Sequence, residues 1–187
     1  FNACLSAQSI RFQGRELLTL PESALAKIRG CDIAYIFQEP ASYLNPVYTI
    51  GSQIVEAIAL RQRKSKEELK QEALALLKAV NIIEAERVFY SYPHQLSGGM
   101  NQRAFIAMSL SSHPKLLIAD EPTTSLDVTT EAQILALLLR LKKEFGFSLL
   151  FITHNLSIAQ KIAERIYIMH RGRIVEHGDK EKIFFRQ

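Results

Sequence analysis

Hydrophobic residues recur along this chain with two different periods, and the change of period marks its parts. From Ser9 to Leu17 they alternate around Gly14, which predicts a short hairpin or edge strand. A short helix is expected after Pro21, ending near Gly30, and Asp32 to Phe37 (DIAYIF) reads as a buried strand. The run QEPASYLNP that follows carries Pro40 and Pro46 and predicts turns. From Ile50 to about Tyr90 the period becomes helical, with Leu69, Ala73, Leu76, Leu77 and Val80 on one face. No strand is expected in that block, so it reads as a helical lobe beside a sheet, closed by Pro93.

After a helix over Met100 to Leu110 the pattern alternates regularly. Lys115 to Asp120 reads as a strand, Thr129 to Phe145 as an amphipathic helix ended by Gly146, and Ser148 to Thr153 as a strand. Leu156 to Arg165 is expected to be helical, with Ile166 to Met169 and Arg173 to Glu176 as strands around Gly172. Strands alternating with helices predict an α/β fold with a mainly parallel sheet, whose ligands sit at the carboxyl ends of the strands.

Composition narrows the function classes. With 187 residues, 48% of them hydrophobic, the chain is long enough for one domain with a core and a small inserted lobe. Its apolar runs are a few residues long, far short of the ~20 that cross a bilayer, and no signal peptide is visible. It begins with Phe1, so the expectation is that the true start lies upstream. Net charge is +4, and the one basic cluster runs from Arg61 to Lys66. That cluster reads as a solvated turn before a helix, since Ser65 and Glu68 have capping-box spacing; a nucleic-acid or anionic-lipid patch is the alternative. Cys4 and Cys31 make no CxxC or metal-ligand pattern, which suits a reducing compartment.

Candidate chemistry lies where three strands end. One runs into Asp120 and Glu121, one into Thr153 and His154, one into Gln38. Carboxylates, an imidazole and an amide are therefore expected on one edge of the sheet. A carboxylate pair there can hold a hard cation such as Mg²⁺ through oxygen, and its neighbour can orient or deprotonate a water. The stretch LSGGMNQR (Leu96 to Arg103) adds a second feature. Ser97 is a natural N-cap, and Gly98 and Gly99 leave the first N–H groups of a helix open to an anion. A flexible hinge is the other reading of two glycines.

These motifs together resemble the ATPases of ABC type. LSGGMNQR is similar to their signature motif, with Met100 where many members carry glutamine. LLIADEP resembles the Walker B strand, TTSLD the D-loop, FITHN the switch-histidine loop and IFQEP the glutamine loop, all in the family's order. The longer stretches from Arg29 to Ile58 and from His113 to Val128 are similar to the ATP-binding subunits of dipeptide, oligopeptide and nickel importers, as are Gly172 to Glu176 and EKIFF.

The resemblance implies a P-loop-NTPase-like, mainly parallel sheet flanked by helices. The sheet core would lie over about 1–48 and 112–187, and the helical subdomain, ending in the signature helix, over about 49–111. It implies ATP and Mg²⁺ as ligands, with Glu121 and His154 catalytic and with Asp120 and Gln38 at the metal. Gln38, Ser97, Gly98, Gly99, Gln102 and Asp127 would serve the nucleotide, the signature residues facing ATP held mainly by an opposite subunit. The implied partners are a second ABC ATPase, alike or different, transmembrane permease subunits and, indirectly, an extracytoplasmic solute-binding protein. The place would be cytoplasmic, peripheral on the inner face of the membrane, and no nucleic-acid partner is expected.

One family element is missing. A P-loop needs GxxxxGK[ST], and none of the eight glycines begins or completes it. The N-terminal part of the fold is therefore expected to be absent, sheet and core surface to be exposed, and the chain alone to bind and hydrolyse ATP poorly. The leading reading is an importer ATPase starting after its P-loop. The alternatives are an inactive partner subunit of a heterodimer and a soluble ABC protein acting on nucleic acid.

Overall fold

The computed structural model describes residues 8–61, 63–124 and 126–185; Phe1, Cys4 and the middle of the basic cluster at Gln62 lie outside them. A two-residue-stranded hairpin comes first, β1 (Arg11–Phe12) and β2 (Arg15–Glu16), followed by α1 (Glu22–Ile28) and β3 (Ile33–Ile36). A 3₁₀ turn over Pro40–Tyr43 leads to four helices, α2 (Ile50–Ala59), α3 (Lys66–Ala79), α4 (Ala85–Tyr90) and α5 (Gly98–Leu110). The chain then alternates through β4 (Leu116–Asp120), α6 (Val128–Phe145), β5 (Ser148–Ile152) and α7 (Leu156–Ile162). It finishes with β6 (Arg165–His170), β7 (Arg173–Asp179) and α8 (Lys180–Phe184).

The sheet that matters is β3-β4-β5, parallel throughout, with Ile36 beside Ala119 and Asp120 beside Ile152. Parallel pairing aligns the three carboxyl ends, so Gln38, Asp120–Glu121 and Thr153–His154 leave the sheet on the same side. Two exits are bent in the same way: Glu39 (φ 57°) and Glu121 (φ 44°) both occupy the left-handed region. For a residue with a long side chain that costs about 1–3 kcal/mol and is tolerated where the surroundings fix it.

The lobe is built on ordinary helix chemistry. Ser65 and Glu68 form the full capping box of α3, and Thr49 caps α2 by accepting from the Ser52 N–H. Ile54, Ile58, Leu77 and Val80 are sealed inside. Gly51 lets the Phe89 ring lie directly on α2, since a Cβ there would collide with it. The lobe does not stand apart from the sheet, because one hydrophobic cluster runs from Ile58 and Leu77 through Phe105, Ile106 and Leu110 to Ile36, Leu117 and Leu138. Arg103 on α5 donates to the Val80 carbonyl at 3.1 Å and to Gln133 on α6 at 3.0 Å. Arg140 on α6 donates to the Ala79 carbonyl. Two arginines thus satisfy the end of α3 and tie it to the core helices.

Two expectations are corrected. The helix expected over Leu156 to Arg165 stops at Ile162, because Ala163 turns extended and Arg165 opens β6. β7 continues past Glu176 to Asp179, pairing antiparallel with β6, and Lys180–Phe184 adds a helix the pattern did not announce. The expected helical block comprises α2, α3 and α4, and Ser65 at the end of the basic cluster caps α3, as the reading of a turn before a helix expected. On β5, Leu150 and Ile152 are 47% and 42% exposed, so one face of the sheet is open along that strand.

Candidate active site

Four side chains from the three segments that follow β3, β4 and β5 meet at the carboxyl edge of the sheet. The Glu121 carboxylate lies at their centre. Its Oε1 is 3.0 Å from His154 Nδ1, and its Oε2 accepts from Thr124 Oγ1 at 2.9 Å and, at 3.5 Å, from Gln38 Nε2. The hydrogen bond from His154, then that from Thr124, holds the carboxyl below its ordinary value, so it is ionised at neutral pH. An ionised carboxylate only accepts; the shared proton therefore sits on Nδ1, and in the neutral imidazole Nε2 is left as the acceptor.

The backbone fixes where this carboxylate stands. The Glu121 N–H donates to Ile152 O at 3.0 Å, extending the β4–β5 ladder by one rung. Its carbonyl accepts from the Thr124 N–H at 3.1 Å, which closes a tight turn around Pro122. Asp120 is held separately: Tyr35, one strand over, donates its hydroxyl to Asp120 Oδ2 at 2.7 Å. That bond, more than burial, pushes the Tyr35 hydroxyl above its usual value, so it keeps its proton. Tyr35 and Thr124 are partners that sequence reasoning missed. Tyr35 sits inside a strand read as apolar, and its only sequence signal is a hydroxyl on the same face of β3 as the pleat that carries Asp120 on β4.

The signature residues lie elsewhere on the surface. Ser97 caps α5, its Oγ accepting from the Met100 N–H at 3.3 Å. A Cβ on Gly98 would meet nothing within 4 Å, and one on Gly99 would touch only Thr130 Cγ2, at 3.5 Å. The space above the helix start is therefore open, and packing does not demand the glycines. Asp127 caps α6 with both oxygens, Oδ1 accepting from the Thr129 and Thr130 N–H groups at 3.0 Å and Oδ2 from Thr130 Oγ1 at 2.6 Å. Gln102 departs from the expectation that it faces nucleotide. It is 3% exposed on the buried side of α5 and donates to the Pro122 carbonyl.

The donor set suits a small hard cation. Asp120 and Gln38 offer oxygens at the same edge, and no group of three or more His, Cys, Asp or Glu side chains that could cage a metal occurs among the described residues. Mg²⁺ commonly takes one or two protein oxygens and fills its sphere with water and phosphate, so two donors fit it and a metal needing a closed protein cage does not fit.

Comparison with known proteins places the chain in a family. Residues 4–124 match the model of the ABC transporter family. The chain is 50% identical over 180 residues to the dipeptide transport ATP-binding protein DppD of Haemophilus influenzae, covering 96% of this chain and 54% of that protein. It is 54% identical over 175 residues to the peptidoglycan transport ATP-binding protein YejF of Agrobacterium fabrum, covering 94% of this chain and 32% of that one. The glutathione import ATP-binding protein GsiA of Escherichia coli K12 is 50% identical over 92% of this chain and 28% of its own. The chain therefore spans about half or less of the curated relatives it matches. Among solved structures, the dimeric ATP-binding cassette MJ0796 in a post-hydrolysis state with ADP and Pi superposes with a TM-score of 0.78 at 31% identity, over 90% of this chain and 72% of that one. The α/β architecture is that of these cassettes.

Proposed function

Because the chain belongs to the ABC transporter family, we propose that it forms the Walker B, signature and switch portions of an ATPase that energises import of peptides. The observation that carries this reading is the convergence of Glu121, His154 and Gln38 within 3.5 Å at the edge of the sheet that also presents Asp120. Peptides are the solute class because relatives at about 50% identity are named for dipeptide and glutathione import.

In this reading Glu121 aligns and polarises the attacking water. Its depressed pKa makes it a weak base while His154 and Thr124 hold it, so orientation precedes proton transfer. When His154 turns toward the γ-phosphate, the carboxylate loses its strongest partner and becomes more basic. Asp120 and Gln38 would hold Mg²⁺, which supplies charge neutralisation on the phosphate oxygens. Ser97, Gly98 and Gly99 present helix N–H groups to the γ-phosphate of ATP bound mainly on an opposite subunit, with Asp127 near that interface. The 187 residues contain no GxxxxGK[ST], so the β- and γ-phosphate site has to be completed by a segment carrying that motif. The helical segment α2–α5 and the Gln38 region would pass the motion to transmembrane permease subunits, which receive solute from an extracytoplasmic binding protein. No helix among the described residues is long and apolar enough to cross a membrane, and the site of action proposed is the cytoplasmic face, peripheral to the membrane.

The test is to mix the chain with a P-loop-bearing ATPase subunit of the importer group and measure ATP hydrolysis with Mg²⁺. Hydrolysis above that of the partner alone, lost with Glu121→Gln on this chain, is expected. No stimulation and no nucleotide-dependent association would overturn the reading. Stimulation unaffected by Glu121→Gln would leave the chain a binding partner only.

A further inference from the structure

The core helix α5 carries a polar residue that its packing does not call for. Gln102 is 3% exposed, with Ala104, Phe105 and Ile106 also buried on the same helix. Methionine would fill much the same space without a polar group to desolvate, and a carboxamide taken out of water is unfavourable unless it is bonded. The bond it makes is specific: its Nε2 donates to the carbonyl of Pro122, twenty residues away in the turn that follows Glu121. Among the described residues, that turn is also closed by Thr124 N–H to Glu121 O and Leu126 N–H to Thr123 O, at 3.1 and 3.2 Å. Neither bond uses the Pro122 carbonyl, and proline has no N–H to give. Gln102 therefore supplies the brace from α5 to this turn.

Its place on α5 gives the brace a consequence. Five residues before it, Ser97 caps the helix whose first N–H groups are open to an anion. On the far side of the brace, Pro122 is bonded directly to Glu121, whose φ is 44° and whose carbonyl accepts from Thr124 N–H in the same turn. We propose that Gln102 is a positioning residue that makes the orientation of Glu121 depend on the position of α5. An anion bound at Ser97–Gly99 is thereby sensed at Glu121. Resting on the function proposed above, these two groups serve different nucleotides of a paired ATPase, so Gln102 couples the two sites.

Two measurements test this, and they fail separately. In the 187-residue chain, Gln102→Met keeps the volume and removes the donor. Amide hydrogen exchange at Thr124 and Leu126 should rise about tenfold, the loss expected of one net hydrogen bond, while α3 amides stay unchanged. Unchanged exchange at the turn would overturn the brace. If exchange rises everywhere, the deciding measurement is the through-bond coupling between the Gln102 side-chain nitrogen and the Pro122 carbonyl carbon in the unaltered chain; its presence supports the brace and its absence overturns it. In the assembly with a P-loop-bearing partner, Gln102→Met should lower kcat about tenfold with KM unchanged and bring the Hill coefficient for ATP toward one. A retained Hill coefficient would overturn the coupling. An unaltered assembly that hydrolyses no ATP removes the functional reading and the coupling with it, while the brace is decided by exchange alone.

Discussion

The turn after β4 and the turn before α5 carry the two halves of the proposed chemistry, and they are built on opposite principles. At the first, each acid has its partner within the chain: Glu121 has His154 and Thr124, and Asp120 has Tyr35. At the second, the Ser97 side chain caps the Met100 N–H, and a Cβ on Gly98 would meet nothing within 4 Å. The acidic half is preorganised before any ligand arrives. The glycine half is a set of donors whose counterpart comes from outside, as expected when the first N–H groups of a helix have no intrahelical acceptor. A site assembled from one prebuilt half and one receptive half can bind at the second and be switched at the first.

The strongest way to break this comparison is Glu121→Gln in the assembly with a P-loop-bearing subunit. Turnover should fall by about two to four orders of magnitude, the range of general acid–base contributions, while nucleotide-dependent association persists. Ordinary turnover would remove Glu121 from its role. The glycine half should respond the other way. Gly98→Ala adds a methyl that meets nothing and relieves part of the ~0.5–1 kcal/mol by which glycine weakens a helix. The melting temperature of the chain should hold or rise slightly while nucleotide-driven association weakens about tenfold or more, as a charge-assisted bond is obstructed. A fall in melting temperature with no change in association would make the glycines a folding feature.

What the sequence made legible follows the same division. Three apolar strands each ending in a polar group predicted one reactive edge, because parallel pairing brings such ends together, and Gln38, Glu121 and His154 do meet there. The helix start was legible from Ser97, whose cap is made as expected, since capping is local, while the two glycines left a hinge open as the other reading. The supporting bonds were not. Tyr35 lies 85 residues from Asp120, and Gln102 lies 20 from Pro122; both are residue types that usually sit in strands and helices without such duties. The same limit cut α7 short, since Glu164 to His170 carries helix formers and strand formers in one run, and pairing with β7 decided for the strand.

Tyr35→Phe sharpens the preorganised half by removing one oxygen. The ring stays against Phe37, 4.4 Å away between centroids, so packing is retained while Asp120 loses its donor. The Mg²⁺ requirement of the assembly should rise several-fold, in line with about 1 kcal/mol for one hydrogen bond, with little change in kcat at saturating Mg²⁺. An unchanged Mg²⁺ requirement would mean that Asp120 needs no such support.

The smallest effect belongs to a control that touches neither half. The capping box of α3 sets Ser65 Oγ and N–H on the Glu68 carboxylate at 2.7 and 2.8 Å, and these bonds hold Glu68 below its ordinary value of 4.5. A carboxylate depressed in the folded state contributes its stability in full above that ordinary value and loses it as pH falls through the lower folded one. Ser65→Ala should lower the melting temperature at neutral pH, through loss of the N-cap, and flatten part of the acid limb of the unfolding curve. Amide exchange at Glu121–Leu126 and the nucleotide response at Ser97–Gly99 should be untouched. If loosening α3 also changed exchange at the Glu121 turn, the lobe and the reactive edge would be one mechanical unit joined through Arg103 and Arg140, and the two turns could no longer be treated as halves coupled through Gln102 alone.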